Sequence, residues 1–168
     1  MGSNEAGRDR FVDFLLRAKR ATYAGQDDEA TVAPLVPRSK QLEYGDGDYL
    51  YRDIYFGMAY FVGQEVVSFR GEPLWSMSYA GGVTSSDIDS RTIYQFLRLA
   101  LQHGSEAEPY RGPAGFNHES WTYTNACHGN LNAFWGIEEI AREGAPRLQM
   151  SIRRRRSPMS LGRASQQC

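Results

Sequence analysis

Cysteine is scarce in this chain, and so are long apolar runs and any of the short motifs that announce a reaction. The two cysteines, Cys127 and Cys168, cannot build a disulfide framework, and they read as one buried and one exposed thiol in a reducing compartment. No apolar run approaches the roughly 18 residues of a membrane span, and the N-terminal MGSNEAGRDR lacks the apolar stretch of a signal peptide. The expectation is therefore a soluble, cytoplasmic protein with no membrane partner.

The catalytic and metal-binding signatures are missing too. There is no GxSxG elbow, no HExxH and no paired CxxC knuckles. His118, Cys127 and His128 are the available soft ligands, but Cys127 and His128, adjacent in a strand, project to opposite faces. No metal or cofactor is expected. GDGD at Gly45–Asp48 has neither the lysine of a phosphate loop nor the distal glutamate of a calcium loop, and it reads as a hairpin turn.

What the chain does have is tyrosine, ten in 168 residues, and an uneven charge distribution. From Arg153 onward there are five arginines and no acid, so the rest carries fourteen bases against twenty acids. An acidic body repels phosphate backbones, which leaves the basic tail as the one route to nucleic acid. The length fits one domain, placed at residues 8–152, with residues 153–168 as a disordered basic tail.

Periodicity supplies the architecture. Phe11, Phe14, Leu15 and Ala18 recur at helical spacing, predicting a helix over Arg8–Tyr23 that Gly25 stops. Residues 26–40 read as a loop. From Gln41 the period becomes two, through Tyr49–Gly57, Met58–Val62, Glu65–Arg70 and Leu74–Ala80, with Gly63-Gln64 read as a turn or bulge. A second helix, capped by Asp89 or Ser90, carries Ile93, Phe96, Leu97 and Ala100. Residues 105–119 read as a loop, and strands return at Trp121–Cys127, Leu131–Ile137 and Leu148–Ile152. This order predicts an α+β fold, an antiparallel sheet of about six strands with two helices packed on one face.

The segments FLLRAKRATYAG, SKQLEYGDGDYLYRDIYFG, FVGQEVVSFRGEPLWSMSYAGGV, FLRLAL, PYRGP and SWTY, with the late G.L..F.G.E.I spacing, resemble an uncharacterised family of small bacterial proteins. The resemblance runs from Phe11 to Ile152. It implies a compact α+β domain, in some members fused behind a helix-turn-helix domain, with an effector-sensing or partner-binding role. It brings no catalytic residues, and Arg153–Arg156 stand where the family has glycine-rich apolar residues.

The candidate site follows from EYGDGDYLYRDIYFG. Tyr49, Tyr51, Asp53 and Tyr55 share one side of their strand, while Leu50, Arg52, Ile54 and Phe56 share the other, which is expected to meet the helices. With Glu65, Trp75 and Tyr79, the tyrosine side forms an aromatic, acidic surface suited to a planar or cationic small molecule, or to a protein partner. Arg111 of PYRGP would rim a cavity there. Two other readings stand beside it: a small enzyme with Asp53 or Glu65 as general acid or base, and a purely structural use of cross-strand aromatic pairs. A third reading is a protein–protein adaptor that docks through an exposed strand edge.

Overall fold

The computed structural model describes residues 2–25 and 31–154. In chain order the elements are α1 (Gly2–Ala21), β1 (Lys40–Asp46), β2 (Tyr49–Gly57), β3 (Tyr60–Phe69) and β4 (Glu72–Val83). Then come α2 (Ser90–Leu101), β5 (Gly115–His118), β6 (Trp121–Asn130), β7 (Ala133–Arg142) and β8 (Ala145–Arg154). All strands join one sheet in the order β1-β2-β3-β4-β8-β7-β6-β5, and each named pairing is antiparallel. Two four-stranded meanders thus meet at β4 and β8, and α2 carries the chain from the sheet centre to the far edge. The α+β class and the two helices agree with the sequence reading, but the sheet has eight strands instead of about six.

One added strand, β5, arises in a polar stretch expected to be a loop, and β1 comes from the period-two run that begins at Gln41. β5 lies within 105–119, where Phe116 packs in a tilted contact on Phe96 of α2 although its strand is only four residues long. Gly63-Gln64 is no turn, since both residues sit within β3 and pair with β2 and β4. GDGD does make the β1–β2 hairpin, with Gly47 at a φ of 58°. Asp89 caps α2 by accepting a bond from the Arg91 amide. β8 continues through Arg153 and Arg154, so the basic run begins inside the sheet. Arg154 donates to the Ser76 and Asn132 carbonyls. The rest of the expected tail, from residue 155 on, lies outside the described residues, as do residues 26–30 of the expected loop.

The core lies between the helices and one face of the sheet. Phe11, Phe14, Leu15 and Ala18 of α1 and Ile93, Phe96, Leu97 and Ala100 of α2 are buried against Tyr51, Val67, Trp75, Met77, Ile140 and Leu148. The helix-covered face is the tyrosine face, which reverses the expected orientation of β2. Leu50, Arg52, Ile54 and Phe56 point to the uncovered side, where Arg52 pairs at 2.6 Å with Glu43 directly across in β1. The reversal has a physical cause. The same face carries Trp75, Met77 and Tyr79 on β4, so its apolar area outweighs that of Leu50, Ile54 and Phe56. The acids on it are tolerated because other elements supply cations.

No helix among the described residues is long and apolar enough to cross a membrane.

Gly63 shows how tightly this face is assembled. It sits between Tyr55 and Tyr79 in the strand register, and a Cβ there would meet the Tyr79 Cζ and OH at 2.3 Å. Gly63→Ala is expected to push the Tyr79 ring aside and cost about 1–3 kcal/mol, the usual scale of overpacking. Urea unfolding of the variant tests this, and a loss below about 0.5 kcal/mol, within the range of a surface substitution, would show that Tyr79 has room to move.

Candidate functional site

Five ionisable side chains converge beneath the helices. β2 and β3 place Asp53 and Glu65 directly opposite each other, each 2% exposed. α1 contributes Lys19, because Val12, Leu15, Leu16 and Lys19 lie at helical spacing on its sheet-facing side. Lys19 pairs with Glu65 Oε2. The loop after α2 turns inward at PYRGP and buries Arg111, whose guanidinium grips Glu138 of β7 through Nε at 2.6 Å and a second nitrogen at 3.1 Å. A third contact, at 3.4 Å, reaches Glu65 Oε1. Asn125 holds the loop by donating to the Gly112 carbonyl at 3.1 Å.

Glu65 is therefore held by two cations and Glu138 by a bidentate arginine, the strongest pairing geometry available to carboxylates. Asp53 differs. The Tyr79 hydroxyl donates to its Oδ1 at 2.8 Å, and among the described residues no ion pair of 4 Å or less reaches it. Burial, and then the neighbouring Glu65 charge, raise its carboxyl from 3.8 to about 7, while the Tyr79 bond and the more distant cations oppose the rise. The Tyr79 hydroxyl is in turn held far above its ordinary value by burial and by Asp53.

Asp53 lines a cavity of about 80 Å³ between α2, the end of α1 and the β2–β4 strands. Its walls include Tyr23, Tyr55, Phe61, Tyr79 and Tyr94, with Arg98 and Lys40 also lining it. The helix ends fix this geometry. Arg20 donates to the Gly104 carbonyl and Gln102 to that of Ala24, so the segment carrying Tyr23 is tied to the end of α2. Tyr94 bonds the Met58 carbonyl in the β2–β3 turn, closing one side.

Of the residues singled out from sequence, Asp53, Tyr55, Tyr79 and Arg111 line this cavity. Tyr51 and Glu65 line a smaller adjoining one of about 20 Å³, together with Lys19 and Arg111. Tyr49 and Trp75 lie elsewhere: Tyr49 stacks on Phe14 at 4.9 Å, and Trp75 packs against Phe134 and donates to the Leu131 carbonyl. The expectation of one continuous aromatic surface thus gives way to a partly open pocket and a packed core. Sequence reasoning passed over Lys19, Tyr23, Tyr94, Arg98 and Glu138. Lys19 and Glu138 were detectable, since each continues an apolar stripe at the period of its own element. Tyr23 and Arg98 were not, because their meeting depends on how two helix ends pack.

Among the described residues the remaining reactive side chains do not gather. Burial pushes the Cys127 thiol up to about 11, and His128 packs in a tilted contact on Trp135 on the opposite face of β6. Among the described residues no three His, Cys, Asp or Glu side chains are grouped to hold a metal ion.

No curated protein and no solved structure matches the chain significantly. The profile of the domain of unknown function DUF5680 matches residues 53–153. That stretch holds Asp53, Glu65, Tyr79, Arg111 and Glu138, while Lys19 and all of α1 and β1 precede it. With more than half its length matched, the chain belongs to the DUF5680 family of domains of unknown function.

Proposed function

We propose that this domain binds a small organic molecule in the cavity beneath α2, with Asp53 as its polar anchor and Tyr23, Tyr55, Tyr79 and Tyr94 as its walls. The observation that carries the reading is Asp53 itself: a carboxyl 2% exposed, on a cavity wall, bonded by a neutral phenol where its neighbours have cations. Burying such a group is costly, and an apolar residue of similar size would serve stability better. A perturbed acid in an apolar, aromatic pocket is the usual mark of a ligand site.

A thermal-shift screen of metabolites at pH 8, run in parallel on the wild type and Asp53→Asn, tests the reading. Ligands at 100 times their Kd should stabilise the wild type by about 3 kcal/mol and leave the variant nearly unshifted. Hits that stabilise both proteins equally would place binding elsewhere.

One feature favours catalysis as a second reading. A carboxyl held at about 7 is poised as a general acid or base near neutral pH. Glu65 is unsuited to that role, being engaged by Lys19 and Arg111. Turnover of a hit, lost in Asp53→Asn while binding persists, would select the enzyme.

A further inference from the structure

The charges around the cavity fall into two separated sets. In the buried floor, Lys19 and Arg111 supply two cations for the three carboxylates Glu65, Glu138 and Asp53. Since the cations are engaged by Glu65 and Glu138, the floor lacks one positive charge, and the lack falls on Asp53. At the rim the imbalance is opposite. Arg98 of α2 and Lys40 of β1 line the same cavity, and among the described residues neither forms an ion pair with an acid. The Arg98 guanidinium lies over the Tyr23 ring, 5.6 Å from its centroid. Lys40 stands directly opposite Tyr55 in the β1–β2 register and so shares its side of the sheet.

Resting on the binding reading above, we infer that the ligand is a small zwitterion, its ammonium group on Asp53 and its carboxylate between Arg98 and Lys40. The ammonium completes the charge balance of the floor, and the phenol faces of Tyr55 and Tyr79 favour a cation as well. Arg98 offers a planar fork for the carboxylate, and Lys40 adds a point charge. Size limits the candidates further. A partly open cavity of about 80 Å³ suits a ligand of small amino-acid scale better than one the size of a nucleotide. The raised Asp53 carboxyl agrees with this arrangement, because the charge that would hold it ionised is the one the ligand brings.

The test uses five probes of similar length on the full chain at pH 8, read by thermal shift and calorimetry: 4-aminobutanoate, norvaline, butanoate, butylamine and 1-butanol. At least one of the two zwitterions is expected to bind tenfold or more tightly than butanoate or butylamine. Arg98→Gln should reduce that zwitterion to the affinity of butylamine, and Asp53→Asn to that of butanoate. Arg98→Lys should retain part of the binding, which separates loss of charge from loss of fold. If butylamine matches the zwitterions and Arg98→Gln changes nothing, or if only butanol binds, the zwitterion inference falls while the binding reading stands. If none of the five binds, the inference falls as well, and the metabolite screen alone then decides the binding reading.

Discussion

Arg111→Met is expected to destabilise the protein by about 3–5 kcal/mol, the scale for removing one member of a buried ion pair. The loss would come less from the missing contacts than from the charges left behind. Glu138 is fully buried, and its two oxygens are held by Arg111. Without the guanidinium it must either remain an uncompensated anion or take up a proton, and Glu65 would retain Lys19 alone. Chemical denaturation measures the effect as a lower midpoint with an unchanged slope. Arg111→Met/Glu138→Met should recover at least half of the loss, because the double replacement removes charge and countercharge together. Arg111→Lys should fall between, keeping the charge but forfeiting the bidentate fork. A loss under about 1 kcal/mol for Arg111→Met, the scale of a surface pair, would mean that the PYRGP turn swings out and water reaches Glu138.

Asp53→Asn carries the second large effect, and its sign depends on pH. In the folded chain the carboxyl titrates at about 7, and its ordinary value is 3.8. A raised native value means that the native state binds the proton more tightly than the unfolded state does. The stability this confers is fully present below pH 3.8, falls as pH rises, and is gone above about 7. The window corresponds to at most about 4 kcal/mol, taking roughly 1.4 kcal/mol per pH unit. Asparagine resembles the protonated acid and can still accept the Tyr79 hydrogen bond. The variant should therefore match the wild type near pH 4 and exceed it by about 2–4 kcal/mol at pH 8, with most of the divergence between pH 5 and 7. Melting curves at unit pH intervals check this. A variant weaker by the same amount at every pH would show that Asp53 is ionised throughout and held by an ion pair. The predicted gain on losing a carboxylate is also what a site kept for binding at the expense of stability should display.

The first effect traces to Lys19, Arg111 and Glu138, and of these only Arg111 stands out in the sequence. Its neighbours in PYRGP signal a turn, and nothing local says that the turn folds inward to a glutamate on β7. Lys19 and Glu138 each occupy a position whose period assigns it to the buried side, a conflict between pattern and charge that points to pairing without naming the partner. Gly63 misled in the opposite direction. Glycine usually marks a turn, but here its missing side chain makes room for the Tyr79 ring in the middle of a strand. β5 was hidden because four residues at a sheet edge carry too little alternation to be read.

The face of β2 is the clearest division between what the chain says locally and what it decides as a whole. Alternation alone determined which residues travel together: Tyr49, Tyr51, Asp53 and Tyr55 on one side, Leu50, Arg52, Ile54 and Phe56 on the other. The class of fold, the two helices and the pairing of successive strands around short turns were likewise local matters, set by periodicity and turn chemistry. Which side of the sheet the helices cover was not local. It turns on apolar area summed over six or more strands and on cations delivered by α1 and by the loop after α2, far from β2 in the chain. Asp53 and its cavity exist because of that choice. The same alternation, laid the other way up, would have left the carboxylate in water, where its pKa would be ordinary and no pocket would close around it.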